Sequence, residues 1–205
     1  MKDVFEIRIH GRGGQGAKSA AEFLAGPPLE SGLYIQSFPE YGPERGGAPI
    51  KAFTRISAKK INIHSGVTNP DLVAVIDPTL MDSIPVTEGM DNEGILVINT
   101  PDSPEQIKKR FNFKGCVYTV DATSIAIKHM GRNIPNTPML GAIIKAMECL
   151  KKLRSDDPDK DFLKNSPDQI TKFIKHKFER KLGKEETKKN IDAVKQAYLE
   201  VRSVC

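Results

Sequence analysis

The stretch "GRGGQG", residues 11–16, follows the alternating run "VFEIRIH" and precedes "AKSAAEFLA". A glycine-dense turn between a strand pattern and a helix pattern constrains this chain more than any other feature. Such a backbone must bend sharply, approach something closely, or both. It also opens a helix at a point where free N–H groups and the helix dipole favour an anion. Arg12, Gln15 and Lys18 place polar and cationic side chains at that same helix start.

Three uses of the turn have distinct sequence requirements. Gly11, Gly13 and Gly16 formally satisfy G-x-G-x-x-G, the dinucleotide fingerprint, which also needs an acid closing the second strand. That strand reads "GLYIQSF", with Gln36 where the acid is wanted and Glu40 arriving only after Pro39. A phosphate loop of the Walker kind needs G-x-x-x-x-G-K-[ST]. Here Ala17 separates Gly16 from Lys18, and one extra residue turns the lysine by about 100° around the helix. A nicotinamide or flavin site and nucleoside triphosphate hydrolysis are therefore poorly supported. Plain strand-to-helix packing remains open. A second Gly- and Pro-rich stretch, "PEYGPERGGAP" at residues 39–49, follows the next strand and carries Arg45. If the two strands are parallel neighbours, both loops emerge at one sheet edge, where open α/β sheets bind ligands.

The rest of the chain supplies the sheet. "IKAFTRIS" and "KINIHS" read as two strands around a turn near Ala58 to Lys60, and "PDLVAVID", "GILVINT" and "GCVYTVDAT" as further strands. The last three are continuous apolar runs, as expected of strands buried on both faces. Helices are expected over "GAKSAAEFLA", ending or kinking near Ala25 because of Pro27 and Pro28, and over "PEQIKKRF" and "SIAIKHM". A longer one is expected over "TPMLGAIIKAMECLKKL", with Thr137 as N-cap and Pro138 in the first position. The alternation predicts a three-layer α/β/α fold with a mixed, largely parallel sheet and a helical C-terminal tail. The expected division is an α/β domain over residues 1–150 and a helical extension, 151–205, packed on it. The stripes Ile170, Phe173, Ile174, Phe178 and Ile191, Val194, Tyr198, Val201 provide its packing faces.

Composition narrows the function classes. The chain has 205 residues and a net charge of +5. Residues 1–150 hold 16 cationic and 16 acidic side chains, so the whole excess lies in the tail. The tail lacks aromatics interleaved for base stacking and matches no nucleic-acid motif; a solvated basic face is the plain explanation, an acidic protein or phosphate partner the other. No run is long and apolar enough to span a membrane, and "MKDVFEIRIH" is not a secretory leader, which reads as a cytoplasmic protein. Cys116, Cys149 and Cys205 have neither iron–sulfur nor zinc spacing. They read as ordinary thiols in a reducing compartment, Cys205 being terminal and mobile. His10 and His64 read as strand-end residues without a catalytic role.

Taken in order, "IRIHGRGGQGAKSAAEFLA", "QSFPEYGPERGGAPIKAFTRIS", "NPDLVAVIDPTL", "GILVINT", "VDATSIA" and "IPNTPMLGA" resemble the gamma subunit of 2-oxoacid:ferredoxin oxidoreductases, the pyruvate enzyme in particular. The resemblance covers nearly the whole chain. It implies a multisubunit enzyme that converts pyruvate, coenzyme A and oxidised ferredoxin to acetyl-CoA, CO2 and reduced ferredoxin. Thiamine diphosphate and 4Fe–4S clusters are then carried by the alpha, beta and delta partner subunits, with no cofactor held by this chain alone, no catalytic residue on it and no metal. It also implies a gamma chain beside the coenzyme A region. Gly13, Gly14, Gln15 and Gly16 match the family's glycine motif, Tyr41, Gly42, Glu44, Arg45 and Gly47 its second loop, and Asn136 and Thr137 the "PNTPMLG" stretch. On this resemblance Arg12 and Arg45 face the coenzyme A phosphates or a neighbouring subunit, with a structural salt bridge as the competing role. Glu44 orients Arg45, and Asn136 fixes its loop. Gly46 stands where many relatives have a second arginine, and "AGPPLESG" interrupts what is usually an unbroken helix. A branched-chain or 2-oxoglutarate relative, a free-standing NAD(P)-binding reductase and an assembly scaffold are the alternatives.

Overall fold

A computed structural model describes residues 4–40, 47–153 and 167–205. The alternating run at the start becomes β1 (Val4–Arg12), and the helix after the glycines becomes α1 (Ala17–Glu30). β2 (Tyr34–Glu40) and β3 (Pro49–Ser57) follow, then β4 (Leu72–Val75) and a 3₁₀ turn (Pro78–Asp82). β5 (Ile95–Asn99), α2 (Pro104–Arg110), β6 (Cys116–Val120) and α3 (Ala122–Met130) lead to α4 (Asn136–Leu153), α5 (Pro167–Glu200) and β7 (Arg202–Val204). The seven strands form one sheet in the order β2-β3-β1-β4-β5-β6-β7. β1, β4, β5 and β6 run parallel, and β2, β3 and β7 pair antiparallel at the two ends.

Period-two alternation divides the apolar residues between two layers. Ile7, Ile9, Leu72, Ala74, Ile95, Val97 and Tyr118 face a core shared with α1, α4 and both arms of α5. Val73, Val75, Leu96, Ile98 and Val117 face a smaller core with Leu80, Val86 and Ile107 of α2. The expected three-layer arrangement is thus present, with one thick helical layer and one thin layer. Over β1 and β3 the thin layer is irregular chain rather than helix, and two buried arginines hold it there. Arg8 donates to the carbonyls of Val67, Val86 and Glu88. Arg55 donates to Glu6 Oε1 at 2.8 Å, to Gln36 Oε1 and to the Gly66 carbonyl.

Several local expectations are corrected. α1 does not stop at Ala25 but runs through both prolines to Glu30. Each proline removes one i→i−4 backbone bond, but the chain beyond still bonds back, Ser31 N–H to the Pro27 carbonyl and Leu33 N–H to that of Pro28. Gly26, Pro27 and Pro28 are all buried there. Residues 60–65 are not a strand. β3 is already bordered by β1 and β2, so the hairpin partner of "IKAFTRIS" is the preceding strand and the stretch beyond Ser57 has no place beside it. His64 accordingly lies in irregular, exposed chain, whereas His10 is buried within β1. α4 begins at Asn136, which puts Thr137 inside the first turn instead of at the cap.

The terminus is also different from expectation. β7 pairs with β6 over Val117↔Val204, Tyr118↔Ser203 and Thr119↔Arg202. One step further along that register, Cys116 and Cys205 form a disulfide. Neither is a free thiol, and the last residue is anchored to the sheet edge. The two expected stripes of the tail pack as anticipated: Ile170, Ile174 and Val194 are fully buried, with Phe173, Phe178, Ile191, Tyr198 and Val201 packed against the same core. α5 is broken at Gly183, whose φ of 79° and ψ of 170° are not helical. The expected charged connection at residues 154–168 lies almost entirely outside the described residues.

Candidate functional site

The chain order reverses direction across the sheet between β1 and β4. From β1 the chain goes by α1 to β2 and β3 on one side, and later passes by β4 to β5 and β6 on the other. The crevice beyond the carboxyl ends of strands at such a reversal is where open α/β sheets place ligands. The glycine turn leaves β1 at this point, and Asp77 and the 3₁₀ turn leave β4 beside it.

Two glycines give the turn its shape. Gly14 has φ of 95° with open space around it, so backbone conformation alone selects glycine there. Gly16 has φ of 82°, and a Cβ on it would lie 2.4 Å from Asn136 Nδ2. It is also the N-cap of α1 and offers no side-chain cap, leaving the first N–H groups of the helix to other acceptors. The start of α4 therefore abuts the start of α1. Asn136 Nδ2 donates to the Gly16 carbonyl at 3.4 Å, while its buried Oδ1 has no hydrogen-bond donor among the described residues. Thr137, next in α4, is buried as well.

β1 and β2 are not neighbours, because β3 lies between them. Two antiparallel pairings in succession nevertheless return β2 to the direction of β1, so both glycine-rich loops leave from the same edge. The second loop is the β2–β3 hairpin connection, and its foot is bonded to the first. Gly13 N–H donates to the Ala48 carbonyl at 2.9 Å, and Gly47 N–H to the Gly13 carbonyl at 3.3 Å. Tyr41, Gly42, Glu44 and Arg45 lie outside the described residues. The intervening β3 also removes the strand end that a dinucleotide site uses for its ribose-binding acid. Gln36, at the position where that acid was sought, instead accepts from Arg55 and donates to the Ile63 carbonyl.

Arg12 is spread over three segments. Its Nε donates to Asp77 Oδ2 at 3.1 Å, its Nη2 to Thr79 Oγ1 at 2.9 Å and its Nη1 to the Gly47 carbonyl at 3.3 Å. Gln15 Nε2 also reaches Asp77 Oδ2, at 2.8 Å, while Gln15 Oε1 accepts from the Arg12 N–H. Burial alone would raise the Asp77 carboxyl. Hydrogen bonds from Thr79 and Gln15, aided by the Arg12 charge, outweigh it and hold the group below the usual carboxylate range. Arg12 thus has the salt bridge weighed as its competing role. Lys18 points elsewhere on α1, 3.9 Å from Glu22. Sequence reasoning missed Asp77 and Thr79. Their signal, an acid closing "LVAVID", becomes readable only once β4 is known to lie beside β1. The rim so formed is polar, with the Arg12 charge balanced by Asp77, and is framed by two helix N-termini, which favour an anion. Among the described residues no group of three or more His, Cys, Asp or Glu side chains is arranged to hold a metal ion.

The sequence profile of the "Pyruvate ferredoxin/flavodoxin oxidoreductase" family matches residues 6–200. The chain belongs to this family. Within the pyruvate ferredoxin/flavodoxin oxidoreductases, it is 43% identical over 201 residues to "Pyruvate synthase subunit PorC" of Thermotoga maritima, covering 98% of this chain and 96% of the relative. It is 40% identical to "Pyruvate/ketoisovalerate oxidoreductases common subunit gamma" of Pyrococcus furiosus, covering 95% and 96%. The crystal structure of the pyruvate oxidoreductase subunit PORC from Thermotoga maritima superposes with a TM-score of 0.81 at 41% identity, covering both chains completely. The resemblance to gamma-type subunits drawn from the six motifs is matched by these relatives. As in its family members, the fold is one mixed, mostly parallel sheet closed by C-terminal helices.

Proposed function

We propose that this chain is the gamma subunit of a multisubunit pyruvate:ferredoxin oxidoreductase. That enzyme cleaves pyruvate oxidatively and passes its acetyl unit to coenzyme A, releasing CO2 and reducing ferredoxin. Thiamine diphosphate and 4Fe–4S clusters belong to alpha, beta and delta partners in this reading, and the gamma chain holds no redox centre. Its part is to shape the coenzyme A region. The carrying observation is the rim at the β1–β4 reversal, where the glycine turn, the foot of the second loop and the starts of α1 and α4 come together. Coenzyme A brings a chain of phosphates. Uncapped N–H groups at Gly16 are chemistry that receives phosphate, and Arg45 is the proposed cationic contact beside them. Tyr41, Gly42, Glu44 and Arg45 would complete the rim from the second loop.

Family membership and the names of the relatives favour this reading over a free-standing NAD(P) reductase, and the strand order lacks the reductase's ribose-binding corner. A second acid substrate is favoured by one observation: the Pyrococcus furiosus relative is named a subunit common to pyruvate and ketoisovalerate oxidoreductases. The same gamma chain could then serve a branched-chain 2-oxoacid enzyme as well. The proposed setting is the cytoplasm, where the Cys116–Cys205 disulfide would be unusual; among the described residues no helix is long and apolar enough to cross a membrane.

Native purification with identification of co-eluting chains, followed by assay of the assembled enzyme, tests the proposal. Pyruvate- and coenzyme A-dependent ferredoxin reduction is the expected activity. Arg45→Ala is expected to raise the KM for coenzyme A about tenfold, the cost of one charge-assisted phosphate contact. An unchanged KM would favour an assembly scaffold, and tight NADH binding by the isolated chain would favour the reductase.

A further inference from the structure

We propose that Asp77 is the positioning residue of this rim, acting through Arg12 to lock the glycine turn to the foot of the second loop. The inference rests on the coenzyme A reading above. Asp77 follows β4, and its two carboxylate oxygens take four hydrogen bonds. Oδ2 accepts from Arg12 Nε at 3.1 Å and Gln15 Nε2 at 2.8 Å. Oδ1 accepts from the Thr79 backbone N–H at 3.0 Å and the Thr79 hydroxyl at 2.6 Å. The Thr79 hydroxyl in turn accepts from Arg12 Nη2, which closes a ring of three side chains. With Nε and Nη2 so fixed, the planar guanidinium aims Nη1 at the Gly47 carbonyl. The second loop is thereby tied to β4 through a single side chain. Gln15, held by the same Oδ2, receives the Arg12 N–H on its own oxygen and closes the turn from within.

This arrangement assigns Arg12 a use different from that of a free phosphate-binding arginine. Its charge is balanced by Asp77, and its hydrogen bonds are directed into the fold. Phosphate contacts are left to the N–H groups of the glycine turn. Asp77 fixes where those groups stand. An amide at this position cannot do the same. Whichever way an asparagine side chain turns, its NH2 faces either the N–H groups of Arg12 and Gln15 or the backbone N–H of Thr79, so a donor always meets a donor.

The experiment uses the assembled enzyme carrying Asp77→Asn, Arg12→Lys, or both. Asp77→Asn is expected to raise the KM for coenzyme A roughly tenfold and to leave the KM for pyruvate within about twofold. Arg12→Lys keeps the charge but loses the fork, and is expected to reproduce that split. Because one residue acts through the other, the double variant costs no more than the worse single. Multiplicative effects would overturn the proposal. So would a KM for coenzyme A that Asp77→Asn leaves unchanged while Asn136→Ala raises it; in that case the coenzyme A reading survives. If neither Asn136→Ala nor Asp77→Asn moves it, the reading fails and the inference fails with it. Should Asp77→Asn not assemble, Thr79→Val carries the test: it removes the hydroxyl from the ring without altering charge and is expected to move the same KM in the same direction. No movement there overturns the proposal.

Discussion

Gly16 is held to glycine by two separate constraints, a left-handed backbone and the adjacent amide of Asn136. Alanine there would meet both, so Gly16→Ala is expected to destabilise the chain by about 1–3 kcal/mol, read from the midpoint of a urea titration. His10 supplies a pH dependence. Burial first, then the charges of Arg8 and Lys51, press its pKa from 6.5 to about 3, so the folded chain holds it neutral. Between those values the unfolded chain binds a proton that the folded chain does not. Its contribution is therefore complete above pH 6.5 and declines on acidification toward pH 3, by about 1.4 kcal/mol per unit at most. Unfolding followed across that range is expected to show a shallower slope for His10→Gln. Single residues were unevenly legible. The glycines declared a turn from spacing alone, and the amphipathic tail declared its buried positions. Asp77 did not, because the meaning of a strand-end acid depends on which strand lies next to it.

Among elements, strand identity was readable and strand adjacency was not. The apolar runs that became β4, β5 and β6 are buried on both faces, and sequence carries that directly. β3, by contrast, sits between β1 and β2, and its hairpin partner precedes it instead of following it. Local alternation at residues 60–65 looked strand-like, but pairing needs a vacant edge, which is a property of the sheet. The prolines of α1 misled for a related reason. Their penalty of one lost backbone bond each is set against the burial of Gly26, Pro27 and Pro28 and the packing of Phe173 on Gly26, which are properties of the folded whole. The disulfide between β6 and β7 was hidden by 89 residues of separation. Such a crosslink restricts the unfolded chain, and Cys205→Ser is expected to lower stability by about 2–4 kcal/mol. Thermal unfolding with and without a dithiol reductant measures it: the wild-type transition should fall toward the variant's, and the variant's should not move.

At the scale of the molecule, the chain belongs to an oxidoreductase family in which its relatives are named as subunits. The isolated chain is accordingly expected to reduce no ferredoxin with pyruvate and coenzyme A, and activity is expected only on reconstitution with its partner subunits; turnover by the purified single chain would contradict this.

The thin side of the sheet has a different consequence. Over β1 and β3 it is roofed by loop, and the roof is bolted down by the guanidinium groups of Arg8 and Arg55 reaching carbonyls at Val67, Val86, Glu88 and Gly66. Arginine keeps its charge at any pH a cell meets, so these bolts do not loosen with acidity as a carboxylate or imidazole would. A stretch without regular secondary structure is thus held by its carbonyls whatever the acidity, and removing one cationic side chain would unroof the sheet while leaving its ladder intact.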